Sequence, residues 1–177
     1  MNIKRLTRIA IAAVLIAVCS WITIPSVVPF TMQTFAVFCA VLILGGKDGT
    51  IAVGIYMLLG IVGLPVFSGF RGGIGHLLGP TGGYIVGFIF SGLCYMAMES
   101  LMEKKKNMKY VALVLGLILC YAVGTLWFGV VMNQKGTAYG AWKILTLCVF
   151  PYIIPDLVKM ALAVVISGRV KKLIQKM

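Results

Sequence analysis

Charged residues are scarce in this chain of 177 residues, and most of them carry the same sign. Only 11% of the residues are charged, with 16 lysines and arginines against four aspartates and glutamates, whereas 61% are hydrophobic. A soluble domain of this size could not bury so much apolar side chain, because a large share of any small domain stays at its surface. The composition therefore excludes an ordinary soluble protein and predicts that lipid surrounds most of the chain.

The residue patterns of metal sites and hydrolases are missing as well. The sequence has one histidine, His76, and its five cysteines form no Cys-x-x-Cys pair. A zinc or iron site would need several closely spaced cysteine and histidine ligands. A serine hydrolase would have to combine His76 with Asp48 or Asp156, which we place at different depths of the membrane. We therefore expect no metal, no enzyme activity, and cysteines that pack as small hydrophobic side chains.

Two further absences bear on function and domain organisation. No GxxxxGK[ST] phosphate-binding loop occurs, so this chain does not carry an ATP-driven motor of that type. No polar linker divides the sequence, and we expect one domain over residues 1–177. The net charge of +12 could indicate nucleic-acid binding. The basic residues lie at the ends of apolar segments, however, where membrane anchoring explains them, and we expect no nucleic-acid partner.

Six apolar stretches are long enough to cross a bilayer and predict an all-α membrane protein, a compact bundle of six transmembrane helices. They cover residues 6–24, 30–46, 49–65, 81–101, 110–132 and 144–168. The basic residues Lys4, Arg5 and Arg8 before the first stretch resemble the start of a signal peptide. Because five more apolar spans follow, we expect this stretch to remain as the first transmembrane helix.

The basic residues also orient the predicted bundle. With six spans, twelve of the sixteen lysines and arginines fall on one side of the membrane. Three fall on the other side (Arg71, Lys135 and Lys143), and Lys159 lies within the sixth helix. Such a bias over short loops marks the majority side as cytoplasmic. We therefore expect both termini in the cytoplasm and the loop between the third and fourth helices outside.

Few polar residues remain at membrane depth, and the clearest are Asp156 and Lys159. Their spacing of three places both side chains on one face of the sixth helix. Ionisable groups inside a membrane face the bundle interior or a water-filled cavity, and they mark functional sites. Pro151 and Pro155 would also free backbone carbonyls nearby. The pair offers an acceptor and a donor to a polar ligand; the alternative is a structural ion pair that joins two helices.

A long segment rich in glycine, residues 63–84, connects the third and fourth predicted helices and is called the glycine-rich loop. A flexible external loop in this position is a plausible lid over a site that opens outward. Pro80 suits the first turn of the fourth helix, where Gly82, Gly83 and Tyr84 follow. Free amide groups at a helix start attract anions, so a ligand carboxylate could bind there.

Small residues recur every fourth position on three predicted helices, which is typical of close helix packing. They are Gly79, Gly83, Gly87 and Ser91 on the fourth helix, Ala112, Gly116, Cys120 and Gly124 on the fifth, and Ala13 and Ala17 on the first. We expect the two longer ridges to pack within the bundle. The alanine pair could pack inside the bundle or against a separate protein, and the spacing does not choose between these.

Three motifs together make the chain resemble the BioY family, the biotin-specific membrane subunits of energy-coupling factor transporters. The most specific is Gly-Leu-Pro-Val-Phe at residues 63–67 with Gly-Pro-Thr-Gly-Gly-Tyr at 79–84. Supporting matches are Pro-Phe-Thr-Met-Gln-Thr at residues 29–34 and Pro-Asp-Leu-Val-Lys at 155–159. The similarity covers essentially the whole chain. One departure is Phe70, where we expect the family to favour glycine.

The resemblance implies a substrate-capture subunit of the bacterial cell membrane, which binds biotin from outside and requires no cofactor. Its partners would be a transmembrane coupling protein and two ATP-binding-cassette ATPases, with lipid around it. The residues implied to bind biotin are Asp156, Lys159, Gln33, Thr34, Tyr84, Gly82, Gly83 and Arg71. Ala13 and Ala17 would form the surface on which the coupling protein docks.

Two other functions stay open at this point. A related subunit could capture another vitamin such as thiamin or riboflavin, although a cationic ligand like thiamin would sit badly beside Lys159. The chain could also be a membrane protein without a transport function. Tight binding of biotin would distinguish the first interpretation from both alternatives.

Overall fold

The computed structural model describes residues 3–105, 107–137 and 139–176, and these residues are mostly helical. The first half contains α1 (Ile3–Trp21), β1 (Thr23–Ile24), β2 (Phe30–Thr31), α2 (Gln33–Leu44), α3 (Gly46–Ile61) and α4 (Ile74–Leu77). The second half contains α5 (Gly82–Lys104), α6 (Met108–Gln134), α7 (Ala141–Cys148) and α8 (Phe150–Lys176). This order agrees with an all-α membrane protein, apart from the antiparallel pairing of β1 with β2.

Within the described residues, three helical runs are long and apolar enough to cross a membrane. They are Gly82–Met102, Met108–Gln134 and Ala141–Leu173. The other three predicted spans correspond to α1, α2 and α3. Of these, α2 is apolar but has 12 residues, α3 has 16, and α1 begins with basic residues among its 19. Length and composition therefore support a membrane protein, while the count of six spans stays a prediction.

Two predicted helix boundaries are wrong, for local backbone reasons. The second predicted helix starts at Gln33 and not at residue 30, because Phe30 and Thr31 pair with Ile24 and Thr23 as strands. The predicted sixth helix is divided into α7 and α8 at Val149, whose φ of −123° and ψ of −60° leave the helical region. Pro151 then falls in the first turn of α8, where a missing N–H is tolerated.

The small-residue ridges on α5 and α6 pack within the bundle, as expected, and the structure shows that they pack against each other. A Cβ atom added to Gly87 would lie 3.0 Å from the Cα of Cys120, and one added to Gly116 would lie 3.3 Å from the Cα of Ser91. The Ser91 hydroxyl donates a hydrogen bond of 2.6 Å to the carbonyl of Gly116. Close approach of these two helices therefore depends on residues with little or no side chain.

Helix α1 packs on α2 and α3, and its two alanines lie inside the bundle. Ala13 is 1% exposed and Ala17 is 6% exposed, and both belong to the main hydrophobic core. At one end of the helix, the Arg5 Nε donates to Asp48 of α3 over 2.8 Å. Among the alternatives left by the sequence, the structure places the alanine pair within this chain and not on its surface.

The glycine-rich loop is attached to the bundle at its beginning. From α1, the Ser20 hydroxyl donates to the Val66 carbonyl over 2.5 Å, and the Trp21 indole donates to the Pro65 carbonyl over 2.8 Å. Phe67 is fully buried beside Gly60 of α3, where an added Cβ atom would lie 2.0 Å from its ring. The loop therefore packs as part of the bundle at its first residues.

Phe70 in the same loop has a positive φ of 56°. This backbone conformation is costly for a residue with a Cβ atom and easy for glycine. The expectation that the family favours glycine here thus has a physical reason. In this chain the Phe70 ring is exposed and stacks on Trp21, with 5.0 Å between the ring centroids.

Candidate functional site

A cavity lies between α2, α5, α6, α8, the β1–β2 hairpin and the glycine-rich loop. It contains about 630 Å³ of space that protein atoms do not fill, including its open side. Five of the eight ligand-binding residues predicted from the sequence line it: Gln33, Thr34, Tyr84, Asp156 and Lys159. Mostly apolar walls with a few convergent polar groups are typical of a site for a small molecule.

The ionisable pair in this cavity is buried and hydrogen-bonded. Asp156 and Lys159 are each 5% exposed, and the Lys159 ammonium lies 2.8 Å from the Asp156 Oδ1. The ammonium also donates to the Thr31 carbonyl over 2.6 Å and lies 3.9 Å from the centre of the Phe30 ring. The Tyr121 hydroxyl donates to the Asp156 Oδ2 over 2.6 Å. Each carboxylate oxygen thus has one partner within the protein.

The Asp156 carboxylate can form more additional hydrogen bonds to a ligand than the Lys159 ammonium can. A carboxylate can accept about four hydrogen bonds, and Asp156 uses two of them. An ammonium has three donors, and those of Lys159 face an oxygen of Asp156, the carbonyl of Thr31 and an aromatic ring. The arrangement favours Asp156 as the group that contacts a ligand and Lys159 as the group that holds it in place.

A second polar group comes from the start of α2. The Thr31 hydroxyl donates to the Gln33 Oε1 over 2.9 Å, and the Gln33 Nε2 donates to the Tyr56 hydroxyl over 2.5 Å. These bonds fix the direction of the Gln33 amide, whose nitrogen has a second N–H to offer. The site therefore presents a carboxylate acceptor together with an amide donor.

Tyr84 forms part of the apolar wall of the cavity. Its ring packs against Gly124, where an added Cβ atom would lie 2.3 Å from the ring. Its hydroxyl lies 3.4 Å from both the Thr125 hydroxyl and the Cys148 carbonyl. The Tyr84 ring is thus fixed at the cavity wall, and its contact with a ligand stays a prediction.

A second pocket extends the cavity towards the glycine-rich loop, and we call it the mouth. It shares Pro29, Ser68, His76 and Thr81 with the cavity, and Arg71 lines it. Arg71 is exposed there and does not line the inner cavity. The structure thus places five of the predicted binding residues in the inner cavity and Arg71 at the mouth.

Gly82 and Gly83 do not line the cavity, and close packing explains their lack of side chains. A Cβ atom added to Gly82 would lie 1.5 Å from the carbonyl oxygen of Leu77, and one added to Gly83 would lie 2.2 Å from the Cβ of Trp127. The Gly82 amide already donates to the Gly79 carbonyl over 3.1 Å. The idea of a carboxylate bound at this helix start therefore gains no support from the geometry.

Several polar residues of the cavity were not predicted from the sequence. Tyr121 and Tyr152 lie in stretches that read as ordinary apolar helix, and Thr31 lies inside the second predicted helix, whose start at residue 30 is too early. The hydroxyl of Tyr152 donates to the Val28 carbonyl of the hairpin. His76 was considered only as a metal or catalytic residue. The usable signal was a tyrosine at membrane depth on the helices that flank Asp156.

The sequence of this chain is similar to those of known membrane transport proteins. The BioY family model matches residues 1–176. The chain belongs to the BioY family. A biotin transporter BioY of Thermotoga maritima is 41% identical over 173 residues, which cover 96% of this chain and 97% of that protein. A probable biotin transporter BioY of Pyrococcus horikoshii is 37% identical over 172 residues, 97% of this chain and 98% of that protein.

One solved structure has the same fold as this chain. It is the crystal structure at 2.1 Å of the S-component for biotin from an ECF-type ABC transporter. The two chains superpose with a TM-score of 0.83 at 30% identity, over 96% of this chain and 92% of the other. The family resemblance predicted from the sequence is confirmed, and so is the expectation of a transport protein and not an enzyme.

Proposed function

We propose that this BioY protein is the biotin-binding subunit of an ECF-type importer in the cell membrane. The observation that carries the proposal is the buried cavity in which Asp156, Lys159 and Gln33 converge. The ureido ring of biotin has two N–H donors and one carbonyl acceptor, so it requires an acceptor and a donor side by side. The relatives of this protein are named biotin transporters, which supports the same ligand.

The charges of the site favour one orientation of biotin. We expect the ureido ring at Asp156, because a carboxylate placed there would meet like charge. The mouth carries Arg71 with the hydroxyls of Ser68 and Thr81, all of which can donate to an anion. The valerate carboxylate therefore fits the mouth, and the apolar middle of biotin lies along Tyr84.

Direct binding tests this function. The purified protein in detergent should bind biotin with one site per chain, measured by isothermal titration calorimetry. Thiamin and riboflavin should not compete at concentrations a hundred times the dissociation constant of biotin. Competition by either vitamin would show that the pocket is not selective for biotin. Heat of binding for thiamin or riboflavin but not for biotin would make that vitamin the ligand.

The proposed topology has six spans, formed by α1, α2, α3, α5, α6 and the α7–α8 pair, with both termini cytoplasmic. It is supported by the bias of twelve basic residues to three. In a variant without the five native cysteines, Arg71→Cys should react in intact cells with a maleimide that cannot cross membranes. Lys105→Cys, the matched position at the opposite end of α5, should react only after the cells are opened. The reverse labelling pattern would contradict this orientation.

The proposed partners are a transmembrane coupling protein and two ATP-binding-cassette ATPases. Since Ala13 and Ala17 are covered within the bundle, the docking surface expected on α1 must lie on its other face. That face presents Ala10, Val14 and Val18 at intervals of four, and Val14 is 57% exposed. Its exposed side chains are apolar, so another apolar helix can pack against it by van der Waals contact.

Two tryptophan substitutions on adjacent residues distinguish the faces of α1. Val14→Trp should abolish copurification with the coupling protein while biotin affinity stays within about twofold of the wild type. Ala13→Trp should instead prevent folding, because a core position has no room for the ring. Size-exclusion profiles and biotin titrations of both variants provide the measurement. Assembly of Val14→Trp with the coupling protein at wild-type yield would exclude this docking surface.

A further inference from the structure

His76 lies at the junction of the cavity and the mouth, and one of its ring nitrogens is unpaired within the described part of the chain. Its Nε2 atom is buried and has no hydrogen-bond partner among the residues that the structure describes. Its side chain lines both the inner cavity and the mouth. A buried polar atom left unpaired costs free energy, so such an atom facing a cavity calls for an explanation.

The imidazole ring of His76 is held in one orientation. It stacks on Phe67, with 5.3 Å between ring centroids and 24° between the ring planes. Phe67 is itself fully buried and meets Tyr56 edge-on, with the ring centroids 5.6 Å apart. The backbone N–H of His76 donates to the Gly73 carbonyl over 3.1 Å. Rotation of the ring towards another hydrogen-bond partner is therefore restricted by this stacking.

The surroundings of His76 favour an anionic partner. Ser68 and Thr81 line both the inner cavity and the mouth, as His76 does, and their hydroxyls can donate hydrogen bonds. The cation Arg71 also lines the mouth. Burial, and to a lesser extent the charge of Arg71, lowers the pKa of His76 below its usual value. The ring is then neutral at pH 7, with one nitrogen as a donor.

We propose that His76 is a specificity-determining residue that donates a hydrogen bond from Nε2 to the carboxylate of the bound ligand. This inference rests on the proposed function, since it assumes that biotin occupies the cavity with its carboxylate at the mouth. The contact completes the pairing of Nε2 only in the liganded protein. It also gives the site a means to prefer free biotin over uncharged derivatives.

Substitutions combined with a modified ligand test this role. His76→Phe keeps an aromatic ring against Phe67 and removes both ring nitrogens. It should weaken binding of biotin by about tenfold, since a hydrogen bond to a charged group is lost. Binding of biotin methyl ester should fall by less, about threefold, because its uncharged carbonyl accepts a weaker hydrogen bond than a carboxylate does. Equal losses for both ligands, or no loss for biotin, would overturn the proposal.

A pair of amide substitutions gives a second, independent measurement. In His76→Gln the side-chain nitrogen reaches about as far as Nε2, whereas in His76→Asn it reaches only about as far as Nδ1. We expect His76→Gln to bind biotin within about threefold of the wild type and His76→Asn to bind about tenfold more weakly. Equal affinities of the two variants would contradict the contact. Wild-type protein that does not bind biotin would instead reject the proposed function itself.

Discussion

Asp156→Asn is expected to weaken biotin binding by about ten- to a hundredfold while the protein stays folded. Asparagine keeps one oxygen that can accept from Lys159, and Lys159 keeps the Thr31 carbonyl and the Phe30 ring. The ligand loses charge-assisted hydrogen bonds worth about 1.5–3 kcal/mol, which corresponds to this range of affinity. Calorimetric titration gives the affinity, and thermal unfolding without biotin gives the stability.

Lys159→Met is the informative counterpart to that substitution. It leaves the Asp156 carboxylate buried without its cation, and breaking a buried pair in this way costs about 3–5 kcal/mol of stability. We therefore expect poor folding from Lys159→Met and poor binding from Asp156→Asn. Ser167→Ala serves as the control, because Ser167 is a buried polar residue on the same helix that does not line the cavity.

A structural role and a ligand-binding role of Asp156 predict different results for Asp156→Asn, one a loss of stability and the other a loss of biotin affinity. A purely structural ion pair would make Asp156→Asn unstable, with the affinity of the folded fraction unchanged. A ligand contact makes the affinity fall more than the stability. Asp156→Asn protein that is folded and binds biotin with wild-type affinity would remove Asp156 from the site.

Gly60→Ala is expected to destabilise the protein, whereas Gly54→Ala on the same helix α3 should not. A Cβ atom at position 60 would lie 2.0 Å from the buried Phe67 ring, and one at position 54 would meet nothing within 4 Å. Overpacking of this kind typically costs about 1–3 kcal/mol. Replacing an unhindered helical glycine with alanine gains about 0.5–1 kcal/mol instead.

The comparison of these two glycines has a second readout at the site. If Phe67 is displaced in Gly60→Ala, the His76 ring stacked on it moves as well, and biotin binding should weaken together with the melting temperature. Gly54→Ala should keep wild-type affinity and an unchanged or higher melting temperature. Equal melting temperatures for the two variants would show that Phe67 can shift without cost.

The inner part of the site could be predicted from the sequence because its signals are strong and local. Placing an ionisable side chain inside a membrane costs free energy, so Asp156 and Lys159 in an otherwise apolar helix indicate a functional site. Gln33 and Tyr84 followed from motifs of the BioY family. The packing of α5 on α6 followed from small residues at a fixed spacing. In each case one short stretch of sequence contained the whole signal.

Features that depend on contacts between distant segments could not be predicted in the same way. The alanines of α1 have the same spacing whether they face α2 and α3 or another protein, so the sequence alone could not place them. Gly82 and Gly83 were interpreted as ligand contacts, whereas their neighbours Leu77 and Trp127 explain them by packing. The role of Tyr121 also becomes visible only when α6 lies beside α8.

One consequence follows from the attachments of α1. This helix of 19 residues is about 28 Å long. Near its start it is joined to α3 through Arg5, and at its other end it holds the first residues of the glycine-rich loop through Ser20 and Trp21. Any tilt of α1 relative to the rest of the bundle therefore shifts Pro65 and Val66 or breaks their bonds, so a movement at its Arg5 end is coupled to the first residues of the glycine-rich loop.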